Sequence, residues 1–141
     1  MSCGQISLNE LGIEVDNYFA SEIDKNAIKV TLDNFPNTIQ LGDVNGITED
    51  VLKSLPKIDL VIFGSPCRSL SKVTAGRKEY NNGLQGASWI FYPCNDILQW
   101  IKKHNNQRVY FMVENVDSNN KTDLDEISEK LGVQPILIDS K

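Results

Sequence analysis

Short apolar runs alternate with amphipathic stretches along this chain of 141 residues, and this alternation limits its fold more than any other feature. The apolar runs have the length of strands and occupy residues 17–23, 38–44, 58–63, 109–116 and 134–139. The amphipathic stretches have helical spacing and occupy residues 6–12, 25–35, 48–55, 87–104 and 121–132. Such an order is typical of βαβ units. The sequence therefore predicts an α/β domain with a mostly parallel sheet and helices on both of its faces.

Capping and breaking residues mark several of the predicted helix ends. Thr48 is placed to cap the N-terminus of one helix, and Gly12 and Gly132 suit the C-termini of two others. Pro93 should start or kink the helix that contains it, because proline lacks the N–H that an inner helical turn requires.

Two segments in the middle of the chain differ in character. Residues 58–63, "IDLVIF", are apolar on both faces, which predicts a buried central strand, and residues 109–116 predict another. Residues 68–86 hold three glycines and four cationic side chains and therefore predict a mobile loop.

Composition and charge restrict the class of protein. No apolar run approaches the roughly 20 residues of a membrane span, and the N-terminus lacks the basic and apolar regions of a signal peptide, so we expect a cytoplasmic protein. Three cysteines without metal-like spacing and one histidine argue against a zinc site and a disulfide framework, and Cys94 is interpreted as a packing residue. The net charge of −5 argues against strong, non-specific binding to nucleic acid by this chain alone.

Four polar residues stand where predicted strands end. Glu22, Asp43, Cys67 and Glu114 each fall at or just after the carboxyl end of an apolar run, with Pro66 directly before the cysteine. Ligands of open parallel sheets bind outside the carboxyl ends of the strands. The four positions therefore predict one nucleotide-type site.

The residue types suggest a chemistry for such a site. A carboxylate such as Glu22 or Asp43 can accept ribose hydroxyls or an adenine amino group, and a thiolate at Cys67 could attack an electron-poor ring carbon. Glu114 could donate a proton to a ring nitrogen, a pairing that suits a pyrimidine. Each residue also has a simpler interpretation: Cys67 as inert packing, Glu114 as a solvated loop residue and Asp43 as part of a turn. Spacing alone predicts a nucleotide-type site of unknown chemistry.

Five short motifs resemble those of one enzyme family. "GSPC" at 64–67 is similar to the family's Pro-Cys loop, and "ENV" at 114–116 is similar to its Glu-Asn-Val motif. "ASEID" at 20–24, "GDV" at 42–44 and "MSCGQISLNELGI" at 1–13 resemble segments that bind the cofactor. On these motifs the chain resembles the catalytic domain of DNA cytosine-5 methyltransferases, most closely the animal de novo type and its phage or bacterial relatives.

The resemblance implies a Rossmann-like domain that uses S-adenosyl-L-methionine, without a metal, to methylate C5 of a cytosine flipped out of DNA. Cys67 would add to C6 of the base, and Glu114 would contact the same cytosine. The residues implied in cofactor binding are Ser2, Cys3, Gly4, Glu22, Ile23, Asp43, Val44 and Pro66. Among these, Glu22 would hold the ribose and Ile23 would lie against the adenine. The phage or bacterial resemblance also implies a cytoplasmic enzyme of the restriction–modification kind.

The chain departs from the family pattern at Arg68, where Gln or Asn is usual, and at Ser88, where the family places a Leu against the cofactor. The family's first strand would precede Met1, and its Arg-rich motif, target-recognition region and closing helix would follow Lys141. We therefore expect residues 1–141 to be a fragment of a catalytic domain, weak or inactive alone. DNA would be bound largely by regions missing here, and the sheet edge left by the absent strand would favour self-association.

Two other functional interpretations stay open. The first is a non-catalytic, methyltransferase-like module that binds a partner methyltransferase or only the cofactor. The second is a truncated gene remnant with no function of its own. The presence of Cys67 and Glu114 favours the enzyme, because a pure interaction module needs neither.

Overall fold

Helices and parallel strands alternate along the chain, which forms two compact units, Met1–Pro56 and Lys57–Lys141. The structure is a computed structural model and describes residues 2–71, 82–118 and 120–138. The elements of the first unit are α1 (Cys3–Glu10), β1 (Phe19–Ala20), α2 (Lys25–Asn34), β2 (Ile39–Gln40) and α3 (Glu49–Ser54). The elements of the second unit are β3 (Leu60–Gly64), α4 (Phe91–His104), β4 (Tyr110–Glu114) and α5 (Lys121–Leu131). The mixed α/β class is confirmed.

In the first unit, β1 and β2 form a short parallel pair in which Phe19 lies opposite Ile39. Asp24 caps α2, because its Oδ1 accepts the backbone N–H groups of Asn26 at 2.7 Å and Ala27 at 2.9 Å. The predicted cap at Thr48 is confirmed by a hydrogen bond of 3.4 Å from the Val51 N–H to the threonine hydroxyl. Side-chain caps thus mark the starts of α2 and α3, whereas the side chain of Ser2 makes no cap bond at the start of α1.

In the second unit, β3 and β4 pair in parallel over five residues, from Leu60 opposite Tyr110 to Gly64 opposite Glu114. One face of this pair packs against a buried apolar cluster supplied by the surrounding turns and helices. The members of the cluster are Leu84, Phe91, Leu98 and Leu131. The strand residues that pack against it are Val61, Phe63, Phe111 and Val113.

The opposite face of the β3–β4 pair is open. It carries Leu60, Ile62, Tyr110 and Met112, which are 36, 39, 57 and 53% exposed. The prediction that both strands are buried on both faces is therefore wrong. Successive side chains of a strand point to opposite faces, and among the described residues only one face is covered by the apolar cluster.

Other differences from the sequence predictions concern pairing. The described strands form two separate two-stranded sheets instead of one larger sheet. The strand predicted at 134–139 is wrong for residues 134–138, which are irregular, and Ile136 to Ile138 are exposed. A strand is stable only when another strand satisfies its backbone groups, and in the described part of the chain none pairs with this segment.

The helix predicted at 87–104 is confirmed, with a 3₁₀ turn over Ala87–Ile90 before α4. Pro93 lies in the first turn of α4, where its missing N–H costs no helical hydrogen bond. Gly132 ends α5 with a φ of 70°, a left-handed conformation that glycine adopts without strain. Of the loop predicted at 68–86, residues 72–81 lie outside the described residues. In the ranges that are described, no helix has both the length and the apolar character of a membrane span.

Candidate active site

Cys67 and Glu114 lie at the same end of the β3–β4 pair. The last residues of the two strands, Gly64 and Glu114, are opposite each other in the register, and Cys67 follows three residues after Gly64. A Cβ added to Gly64 would lie 3.2 Å from Oε2 of Glu114, so the carboxylate lies directly against the end of β3. Both Cys67 and Glu114 are exposed. The structure therefore places a thiol and a carboxylate at the same accessible, carboxyl end of the two strands.

Asn115 connects the loops that follow the two strands. Its Nδ2 donates to the carbonyl oxygen of Ser65 at 3.1 Å and to the hydroxyl oxygen of the same residue at 2.8 Å. Its Oδ1 accepts from the N–H of Val116 at 2.8 Å, which orients the amide. Further along, Ser71 and Ser118 form an isolated antiparallel bridge between the same two loops. Sequence analysis assigned no role to Asn115, although its place directly after Glu114 was a usable signal.

The turn before α4 contacts the segment Ser65–Ser71 that follows β3 and contains Cys67, which we call the cysteine loop. The hydroxyl of Ser88 donates to the carbonyl oxygen of Pro66 at 2.5 Å, and the N–H of Ala87 donates to the hydroxyl oxygen of Ser69 at 2.7 Å. A Cβ added to Gly86 would lie only 2.5 Å from the Ser69 hydroxyl oxygen, so the close approach depends on a glycine. These contacts join residues about twenty positions apart, which spacing along the sequence does not indicate.

The three cysteines differ in environment. Cys3 and Cys67 are exposed, whereas Cys94 is half-buried on α4. Burial raises the pKa of the Cys94 thiol, because the anionic thiolate is poorly solvated there. This position agrees with the interpretation of Cys94 as a packing residue. Within residues 2–71, 82–118 and 120–138, no group of three or more His, Cys, Asp or Glu side chains could hold a metal ion.

In the first unit, Glu22 and Asp43 follow the carboxyl ends of β1 and β2. Oε1 of Glu22 accepts from the N–H groups of Ile23 at 2.8 Å and Asp24 at 3.0 Å. Oδ1 of Asp43 accepts from the N–H and the side-chain amide of Asn45, both at 2.9 Å. In each carboxylate these bonds go to one oxygen, which orients the group. The two loops are joined by the Ser21 hydroxyl, which donates to the Gly42 carbonyl at 2.7 Å.

The remaining predicted cofactor residues of this unit lie at helix starts and loops. Ser2 directly precedes α1, and Cys3 and Gly4 form its first turn. The hydroxyl of Ser2 donates to that of Thr31 at 3.3 Å. Ile23 is 71% exposed in the loop after β1. The structure thus presents these residues on two loops and one helix start of the first unit, together with Val44 in the 3₁₀ turn Val44–Gly46.

The sequence model of a family described as C-5 cytosine-specific DNA methylase matches residues 2–132. The chain belongs to this family. This membership confirms the resemblance that rests on the Pro-Cys and Glu-Asn-Val motifs. Asn115 of the second motif donates the hydrogen bonds to Ser65 of the first.

Several curated methyltransferases are similar to this chain. The orphan methyltransferase M.Rho11sI of Bacillus phage rho11s is 34% identical over 114 residues, which cover 79% of this chain and 20% of the phage protein. M.SPRI of Bacillus phage SPR is 31% identical over 79% of this chain and 23% of its own length. The type II methyltransferase M2.BsuMI of Bacillus subtilis is 33% identical over 76% of this chain and 26% of its own. The chain thus spans about a fifth to a quarter of the length of these relatives.

Proposed function

We propose that this chain takes part in the transfer of a methyl group from S-adenosyl-L-methionine to C5 of cytosine in DNA. The observation that carries the proposal is that Cys67 and Glu114 both lie at the carboxyl end of the β3–β4 pair, since Glu114 ends β4 opposite Gly64 and Cys67 follows Gly64 by three residues. A thiol and a carboxylate that share an accessible edge can act on the same ring, one as nucleophile and the other as acid.

The thiolate of Cys67 would add to C6 of a cytosine, which has to be flipped out of the duplex because the stack blocks both ring faces. Glu114 would hold N3 and the exocyclic amine, so that the electron pair displaced from the C5–C6 bond makes C5 nucleophilic. S-adenosyl-L-methionine, when bound, would supply the methyl group that C5 takes and would leave as S-adenosyl-L-homocysteine. Loss of the C5 proton to a base and departure of the Cys67 thiolate would then restore the ring.

The hydrogen-bond acceptors and the apolar surface of the first unit suit that cofactor. Because backbone N–H groups hold Oε1 of Glu22, its Oε2 is oriented and available to ribose hydroxyls. Asp43 is held in the same way through Oδ1. Ile23 offers exposed apolar surface to a purine. We propose that Ser2, Cys3, Gly4, Val44 and Pro66 complete the contacts to the cofactor.

We also propose that residues 1–141 form part of a Rossmann-like catalytic domain, act in the cytoplasm of a bacterial cell and are weak or inactive by themselves. The similarity to phage and Bacillus proteins, of which the chain spans about a fifth to a quarter, supports this view. DNA would be held largely by regions outside these residues. The outer edges of both two-stranded sheets lack a partner strand among the described residues, and self-association through such an edge would be detected by light scattering.

Covalent trapping tests the proposed chemistry. The chain is incubated with S-adenosyl-L-methionine and a duplex containing 5-fluorocytosine, in which fluorine at C5 prevents release of the thiolate. Because the chain is weak or inactive by itself, any denaturant-stable adduct should form slowly; it should lie at Cys67 by mass spectrometry and should be absent with Cys67→Ser. An adduct that survives this substitution would show that another residue attacks. A folded chain that forms no adduct at any DNA concentration would reject catalysis by residues 1–141 alone.

One observation favours a second candidate function. The open face formed by Leu60, Ile62, Tyr110 and Met112 is apolar, and such faces are often covered by another protein. A non-catalytic module that binds a partner methyltransferase would use this surface. Such a module, or one that binds only the cofactor, would not use Cys67. Calorimetry with S-adenosylhomocysteine, with Glu22→Ala as control, tests cofactor binding: binding that the control loses supports a cofactor site, and an adduct at Cys67 in the trapping experiment argues against the module.

A further inference from the structure

Ser88 is the most completely buried polar side chain near the cysteine loop. It is 0% exposed, and its hydroxyl donates to the carbonyl oxygen of Pro66 at 2.5 Å. A serine can satisfy its hydroxyl through many local carbonyls, for example one turn earlier in a helix. Ser88 instead reaches a residue 22 positions away, and that residue directly precedes Cys67.

The acceptor matters because of what it is bonded to. The Pro66 carbonyl belongs to the peptide unit that joins Pro66 to Cys67, and a peptide unit is planar. Anchoring its oxygen therefore orients the N–H of Cys67 as well. The proline ring limits rotation on the other side, with a φ of −53°. The peptide before the cysteine is thus held at both of its ends.

The peptide after the cysteine is held too. The carbonyl of Cys67 accepts from the N–H groups of Leu70 at 3.0 Å and Ser71 at 2.8 Å. With both flanking peptides anchored, the direction of the Cα–Cβ bond of Cys67 is set, and only rotation about χ1 is left to the thiol. An exposed side chain on a fully anchored backbone is the arrangement that a reacting group needs.

We propose that Ser88 is a positioning residue for Cys67: its buried hydroxyl holds the Pro66–Cys67 peptide in the one orientation that aims the thiol out of the loop. The Ala87–Ser69 hydrogen bond keeps the turn and the loop at the distance that the Ser88 bond requires. A catalytic effect of this hydrogen bond rests on the proposed role of Cys67 as nucleophile. The anchoring itself is a property of the loop and can be measured without any reaction.

Ser88→Ala and Ser128→Ala form a matched pair of variants. Ser128 is also buried, at 8% exposed, and its hydroxyl also donates to a backbone carbonyl, that of Leu124 at 2.8 Å within α5. Each variant loses one buried hydroxyl and one such bond; Ser88→Ala should lower the melting temperature of the chain, whereas in Ser128→Ala the higher helix propensity of alanine offsets part of the loss. Only Ser88→Ala should change the environment of Cys67.

The first readout is ¹⁹F NMR of exposed thiols labelled with a trifluoromethyl reagent, with the Cys67 signal assigned by its absence in Cys67→Ser. We expect one narrow Cys67 signal in wild type and Ser128→Ala, and a broadened or doubled signal in Ser88→Ala. The second readout is the rate of trapping on 5-fluorocytosine DNA, which should fall about tenfold in Ser88→Ala and not in Ser128→Ala.

Unchanged spectra and trapping rates in Ser88→Ala would overturn the proposal. If wild type forms no adduct, the function proposed for Cys67 fails, and the ¹⁹F spectra still decide the anchoring. If Ser88→Ala does not fold, the ¹⁵N order parameter of the Cys67 amide in wild type decides instead. A rigid value of about 0.85 supports the proposal, and a value below about 0.6 rejects it.

Discussion

Asn115 donates from a single side-chain nitrogen to both the carbonyl oxygen and the hydroxyl of Ser65, at 3.1 and 2.8 Å. Ser65 is 7% exposed and follows β3 directly, whereas Asn115 follows β4 directly. One amide group therefore satisfies two acceptors in a buried place and joins the loop of Cys67 to the loop of Glu114. The relative position of the thiol and the carboxylate depends on this contact as well as on the pairing of the strands.

Replacing Asn115 with Ala should destabilise the chain by about 1–3 kcal/mol, because two oxygens of a buried residue lose their donor. Urea-induced unfolding followed by circular dichroism measures this change. Asn106→Ala is the control, since Asn106 is exposed in the loop between α4 and β4, and it should change stability by less than about 0.5 kcal/mol. Equal effects of the two substitutions would mean that water replaces the amide at Ser65 without cost.

The cysteines should react with iodoacetamide in an order set by their surroundings. Cys3 and Cys67 are exposed and should be alkylated first. Cys94 is half-buried and burial raises the pKa of its thiol, so it should react at least about tenfold more slowly at pH 7.5, because the thiolate is the reacting form. Peptide mass spectrometry over time measures the three rates.

Unfolding the chain in urea provides the control for that experiment, since all three thiols should then react at similar rates. Alkylation of Cys94 as fast as of Cys67 in the folded chain would contradict the packing role of Cys94. It would also show that α4 opens on the timescale of labelling.

The start of α3 and the end of α5 could be predicted from the sequence because their signals are local, whereas the helix predicted at 6–12 is Cys3–Glu10 and the strand predicted at 17–23 is only Phe19–Ala20. Thr48, Pro93 and Gly132 act on backbone groups within a few residues, so their effects on the helices were visible in the order of the residues. The placement of Cys67 and Glu114 at one edge followed from two strand ends and a parallel pairing. Their chemical roles stay predictions, as do those of the cofactor residues.

Burial and long-range hydrogen bonds could not be predicted in this way. An apolar residue such as Met112 shows that a face could be buried, but whether it is buried depends on what packs over it. The bonds of Ser88 and Asn115 connect residues 22 and 50 positions apart, and spacing along the chain contains no signal for such partners. These contacts are the ones that shape the cysteine loop.

The cap of α2 gives a prediction for the first unit. Asp24→Ala should destabilise the chain by about 1 kcal/mol, because the Asp24 carboxylate accepts from two N–H groups at the start of the helix. Asp24→Asn keeps an acceptor at the same place and should recover most of the loss. Urea unfolding of the three proteins measures the series. An Asn variant as unstable as the Ala variant would show that the negative charge, and not the cap bond, stabilises the helix.

Stability should fall in alkaline solution through Tyr92, whose hydroxyl donates to Oε1 of Glu126 at 2.9 Å. Burial raises the pKa of Tyr92, and the hydrogen bond and the charge of Glu126 raise it further. Because the pKa is higher in the folded chain than the value of about 10 in the unfolded chain, this stabilisation is complete below about pH 10 and is lost as the pH rises further. Urea unfolding at pH 8 to 11 should therefore show a steeper decline for wild type than for Tyr92→Phe. Cys94 is present in both proteins and its titration, which has the same sign, cancels in the comparison. Parallel declines would mean that Tyr92 is as well solvated in the folded chain as in the unfolded one.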